Sequence, residues 1–111
     1  MRLKDCYSEG LLKKETPSKD KAKKSLHLAE EALNKAKDNN RMGHYDVALV
    51  LCYTSMFRAA RAVLFMDGIK ERSHICIIIY LKEMYPKLRR LANTLDSIEE
   101  QDTRRYMALM T

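Results

Sequence analysis

The sequence predicts an all-α domain: an up-and-down bundle of four main helices behind a short N-terminal leader. Three observations lead there. Only three Gly and two Pro occur in 111 residues, too few for the many turns of an all-β chain. The charged residues are mostly Lys, Arg and Glu, which suit exposed helix faces. Apolar residues recur at three- and four-residue steps over long stretches. The length fits one domain, with residues 1–15 as leader and 16–111 as bundle. Short connections make neighbouring helices antiparallel.

The leader, MRLKDCYSEGLLKKE, is weakly patterned. Asp5 to Glu9 suit one helical turn ended by Gly10, and Leu11 and Leu12 are placed to pin it to the bundle. Thr16-Pro17-Ser18 starts the first long helix, with a hydroxyl cap and Pro in a permitted first-turn position. This helix runs to about Asp38. Its stripe is Ala22, Leu26, Ala29, Leu33 and Ala36, widened by Leu28 and Ala32. Asn39 to Gly43 is rich in turn formers and reads as a loop.

The second long helix spans Tyr45 to Met66. At about 100° per residue, Ala48, Cys52, Ser55, Met56, Ala59, Val63 and Met66 share one face. Tyr53, Phe57, Ala60 and Leu64 form a second apolar face. A narrow polar strip remains, carrying Thr54, Arg58 and Arg61. A helix apolar on two sides is buried on two sides, at the centre of a bundle or where two copies meet. Tyr53, Phe57, Ala60 and Leu64 are therefore core or homodimer residues. Gly68 stands where a left-handed C-terminal residue is wanted.

Ile69 to Ser73 reads as a connector. Ser73 caps a third helix from His74 to about Tyr85, ended by Pro86. Ile75 to Leu81 are strand-like by propensity alone, but an isolated strand has no partner in this reading. The last helix covers about Leu88 to Met110, with Leu88, Leu91, Leu95 and Ile98 as its stripe and an interruption near Asn93-Thr94 left open.

Net charge is +6, with a pI near 9.3, which fits an anionic partner or a basic solvated surface. Cys6, Cys52 and Cys76 show neither metal spacing nor an even-numbered disulfide framework, and the N-terminus is polar. A reducing, cytoplasmic compartment is expected. Arg58 and Arg61 inside the most apolar stretch argue against a membrane span. His27, His44 and His74 are scattered, so no metal site is expected, and no motif implies a cofactor.

The run Tyr53-Thr54-Ser55-Met56-Phe57-Arg58-Ala59-Ala60-Arg61-Ala62-Val63-Leu64, then Gly68, then Arg72-Ser73-His74, resembles the core signature of HEPN domains. (The name stands for higher eukaryotes and prokaryotes nucleotide-binding.) The likeness is to small stand-alone prokaryotic members and reaches from about Asp5 to Tyr106. It implies a helical bundle, a homodimer, and a minimal nucleotidyltransferase as partner in a toxin–antitoxin-like pair. Many HEPN proteins are metal-independent ribonucleases whose signature is an Arg, four to six residues, then a His on one helix. Imidazole moves the 2′-hydroxyl proton and guanidinium holds the phosphate.

This chain departs from that spacing. Arg72 precedes His74 by two residues, which on a helix points them apart. Arg61 falls at the family's usual Arg but lies far upstream. No Tyr stands two residues after His74; Cys76 does. His74 and Arg72 are the candidate catalytic residues, and Arg58, Arg61, Lys70, Arg72 and His74 the candidate phosphate-binding set. Bundle ion pairs are the competing role for the arginines. Arg104-Arg105-Tyr106 resembles a basic-aromatic ending of the family.

The expected function is a non-catalytic HEPN-like module binding nucleotide or RNA phosphate beside a nucleotidyltransferase, with the weight against an enzyme. The alternatives are a metal-independent toxin-type ribonuclease using His74 with Arg72 or Arg61, and a structural homodimeric interaction protein.

Overall fold

The computed structural model describes residues 1–97. The readings made at Ile98, at Arg104-Arg105-Tyr106, and for the end of the last helix at Met110 lie outside the described residues. Chain order is α1 (Leu3–Ser8), β1 (Leu12–Lys14), α2 (Lys19–Arg41), α3 (Tyr45–Asp67), β2 (Ile69–Glu71), α4 (His74–Met84) and a 3-10 turn (Pro86–Leu88). A further helix, α5, occupies residues 89–97 and runs through Asn93-Thr94 without interruption. The fold is all-α, four main helices behind a leader, as expected.

α2 begins later than its predicted cap. Ser18, not Thr16, accepts the Lys21 N–H, at 3.2 Å, and Pro17 precedes the cap. α2 also continues to Arg41, absorbing Asn39 and Asn40 into the helix. It meets α3 through Ala22, Ser25, Ala29, Ala32 and Ala36, all buried. Leu26, Leu28 and Leu33, predicted to share that stripe, are 48 %, 43 % and 41 % exposed. The reason is close approach of the two backbones, which small side chains permit and leucines block. Ser25 Oγ donates to the Arg58 carbonyl at 2.5 Å, and Ser55 Oγ donates to the Ala29 carbonyl at 2.7 Å.

The other face of α3 holds the core. Phe57, Ala60 and Leu64 pack with Ile77, Ile78, Tyr80 and Leu81 of α4, Ala92 and Leu95 of α5, and Cys6 and Leu12 of the leader. α3 is thus covered on two sides. It is also the one helix among the described residues long and apolar enough to cross a membrane by length and composition.

Gly68 ends α3 at φ 74°, and a Cβ there would run into the Glu15 carbonyl and the Pro17 ring. The chain reverses at this point into β2. Ile69 to Glu71, expected as a connector, instead pairs antiparallel with β1 in the register Leu12↔Glu71, Lys13↔Lys70, Lys14↔Ile69. The leader therefore adds a strand as well as a helical turn. Its α1 carries Cys6, which forms a disulfide with Cys76 in the first turn of α4, across a sequence separation of 70. That corrects the expectation of unpaired cysteines; the pairing is visible only once leader and α4 are adjacent. In the chain-entropy picture such a loop closure is worth roughly 4 kcal/mol. With these two joined, the cysteines no longer speak for a reducing compartment. Cys52 remains free.

Asp67, the last residue of α3, faces an unfavourable helix dipole. Two phenols compensate: Tyr80 donates to its Oδ2 at 2.8 Å and Tyr85 at 2.5 Å. Burial, then the Asp67 hydrogen bond, pushes Tyr80 ionisation well above its ordinary range. For Tyr85 the hydrogen bond dominates and burial follows, in the same direction.

Phe57, at 2 % exposure, belongs to the core of its own chain. Phe57→Ala should cost about 3–5 kcal/mol in urea unfolding; a folded, equally stable variant would remove it from the core. Tyr80→Phe should cost about 2 kcal/mol, the range for a hydrogen bond to a charged group. A phenol whose ionisation is raised by folding stabilises fully below its ordinary pKa near 10 and loses that contribution as pH climbs past it. Wild-type stability should therefore fall above about pH 10, and less steeply in Tyr80→Phe; parallel alkaline profiles would sink this account.

Candidate active site

Tyr53, Phe57 and Arg61 stand at four-residue steps on α3, so each is turned only about 40° from the last and together they form one oblique strip. Above Arg61 the helix rises roughly 9 Å to Asp67, and the extended β2 residues descend roughly 10 Å. Rise and return nearly cancel. The return brings Glu71 level with Arg61, and the turn through Arg72 and Ser73 starts α4 at His74 beside the same arginine. Ser73 fixes that start, its Oγ accepting the Cys76 N–H at 3.4 Å.

All three residues of the strip touch His74. Arg61 Nη2 lies 3.1 Å from His74 Nε2, thirteen residues apart in sequence. Tyr53 Oη lies 3.3 Å from His74 Nδ1. The Phe57 ring stacks on the imidazole, with centroids 4.5 Å apart and planes inclined at 27°. Arg61 Nε donates to Glu71 Oε1 at 2.8 Å, with the two side chains 35 % and 18 % exposed.

The donors fix the protons. Guanidinium nitrogens only donate, so Nε2 accepts from Arg61. A neutral ring accepting at Nε2 carries its hydrogen on Nδ1 and donates it to Tyr53 Oη. In that tautomer the Nε2 lone pair faces the arginine. That is the pairing needed to remove a hydroxyl proton next to a bound phosphate. A cavity of about 210 Å³ adjoins it, lined by Arg61, Leu64, Phe65, Ile69, Lys70 and Glu71.

The predicted residues are distributed as follows. Arg61 and His74 are brought into contact. Lys70 is exposed on β2 and lines the cavity. Arg72 is exposed in the turn before α4, its backbone N–H donating to the Leu11 carbonyl at 2.9 Å. Arg58 turns toward α2, where its Nη1 donates to the Leu28 carbonyl at 3.3 Å. Phe57, Ala60 and Leu64 are buried, and Tyr53 is half-buried against His74. Among the described residues, no group of three or more His, Cys, Asp or Glu is placed to hold a metal ion.

The expectation of a non-catalytic module leaned on the wrong spacing between arginine and histidine. Arg61 and His74 form the pair through space, because the chain reverses at Gly68, after the end of α3. The contact overturns the non-catalytic reading and the weight placed against an enzyme. Glu71 was not singled out in the sequence, nor Tyr53 and Phe57 as neighbours of His74. The signal for those two was present: positions 53, 57 and 61 share a strip. Nothing in one sequence marks Glu71, whose place depends on the β1–β2 register.

Comparison with known proteins gives one family, described as the HEPN domain, matching residues 22–109. No curated protein and no solved structure matches.

Proposed function

The chain belongs to the HEPN domain family, and from that premise we propose that it is a metal-independent endoribonuclease. The observation that carries the proposal is the 3.1 Å contact between Arg61 and His74. His74 Nε2 takes the proton from a ribose 2′-hydroxyl. The 2′-oxygen attacks the neighbouring phosphorus, and the bond from phosphorus to the 5′-oxygen breaks. Arg61, its Nη edge held beside the imidazole, donates to the non-bridging oxygens and stabilises the charge that develops there. The 5′-oxygen leaves with a proton from solvent or from the histidine of a second copy. The products are a 2′,3′-cyclic phosphate and a 5′-hydroxyl. Tyr53 and Phe57 hold the imidazole, the first through Nδ1 and the second by stacking. Lys70, exposed at the adjoining cavity, meets the RNA backbone.

The working unit in this reading is a homodimer. In support, Leu26, Leu33, Val47, Val50 and Met66 are exposed along α2 and α3, whose opposite faces are already committed to each other and to α4. A nucleotidyltransferase is the partner class the family likeness implies, in a toxin–antitoxin arrangement.

The test is RNA cleavage in EDTA. Wild type should cleave, leaving cyclic phosphate ends. His74→Ala and Arg61→Ala should each lose on the order of 10²–10⁴-fold, while Arg72→Ala keeps most activity. A well-folded wild type that leaves RNA intact would refute the assignment. Sedimentation equilibrium should give twice the 13.0 kDa chain mass; a monomer across micromolar concentrations would remove the homodimer.

A further inference from the structure

We propose that Glu71 is a positioning residue: it grips Arg61 by Nε and so aims the guanidinium at His74. The inference rests on the ribonuclease reading of the same site and adds a residue to it. An arginine in the middle of α3 has a long, rotamer-rich side chain, here 35 % exposed. Left alone, it would sample many orientations. Glu71 removes that freedom at one atom. Its Oε1 accepts from Nε at 2.8 Å, the nitrogen nearest the aliphatic stem. Because the guanidinium is planar, fixing Nε also fixes where the Nη edge points, and that edge reaches His74 Nε2.

Glu71 is itself held from the leader side. It closes β2 opposite Leu12, which is 1 % exposed. The next backbone N–H, that of Arg72, donates to the Leu11 carbonyl at 2.9 Å. The carboxylate is 18 % exposed, less than the arginine it holds. The grip therefore comes from a fixed strand onto a mobile-by-nature side chain, which is the right direction for control. This gives the leader strand a purpose at the site that its distance in sequence conceals.

The charge of Glu71 makes the role separable from simple binding. A carboxylate beside Arg61 repels an incoming phosphate. Its removal should not weaken RNA binding, yet it should misplace the guanidinium during the reaction. Glu71→Ala is expected to lower kcat on the order of 10²-fold, the penalty typical of a displaced catalytic group, with KM unchanged or lower. Glu71→Gln keeps an oxygen that can accept from Nε, and should restore kcat to within about threefold of wild type. A general loss of fold would not be rescued by Gln and would show in circular dichroism.

The geometry is read separately by long-range ¹⁵N–¹H NMR of the His74 imidazole. Wild type and Glu71→Gln should show Nδ1 protonated and Nε2 bare, whereas Glu71→Ala should show that bias reduced. Equal kcat in wild type and Glu71→Ala, or equal losses in the Ala and Gln variants, would overturn the proposal while leaving the ribonuclease intact. If wild type leaves RNA uncut, the ribonuclease reading falls and the NMR decides: a changed tautomer in Glu71→Ala alone supports the grip, and unchanged spectra overturn it.

Discussion

The reversal at Gly68 is the constraint on which the rest of the structure depends. Gly68 adopts a left-handed conformation in a space bounded by Glu15 and Pro17, where a larger residue would meet both strain and atoms. The leader closes over it: the Glu15 N–H donates to the Gly68 carbonyl at 2.8 Å, and the Ser18 N–H to the Phe65 carbonyl at 2.9 Å. Because the chain turns sharply there, β2 runs back along α3, β1 finds a partner, and α4 starts beside Arg61. A wider turn would displace His74 from Arg61 by a helical rise or more.

Two kinds of packing then divide the labour on α3. Toward α2 the contact is close and built from alanine, with serine hydroxyls capping carbonyls of the opposite helix. Such hydroxyl-to-carbonyl bonds fix axial register, which apolar contact alone does poorly. Toward α4 the contact is bulky and apolar, with Phe57, Leu64, Ile77 and Leu81. The histidine sits at the margin of the bulky side. There one ring face rests on Phe57 and the ring edge meets polar partners, with the residue half-buried.

Arg61 stands between an acceptor carboxylate and an acceptor imidazole. The pair with Glu71 is part-buried, and its interest here is in direction. The guanidinium is held at one end by Glu71 and shared at the other with His74, which is the end a phosphate can claim. The disulfide between Cys6 and Cys76 ties α4 to the leader, and the phenols on Asp67 tie the rest of α4 and Tyr85 to the end of α3.

Much of the fold was legible in the sequence because it rests on local chemistry. The two faces of α3 follow from a 3.6-residue period, the left-handed stop from Gly68, and the α4 cap from Ser73; each needs only residues within a turn or two. Arg61 and His74 were also visible as candidates, each by residue type and family likeness. What the sequence could not decide depends on separations it does not encode locally. Alanine rather than leucine lines the α2–α3 seam because two backbones approach closely. Cys6 reaches Cys76, and Glu71 reaches Arg61, because the leader pairs with β2. Arg61 rather than Arg72 meets His74 because a helical rise and an extended return cancel. Sequence period determined which faces were apolar; only the tertiary turn decided which charged groups share a site, since a charge pair requires proximity in space and not spacing along the chain.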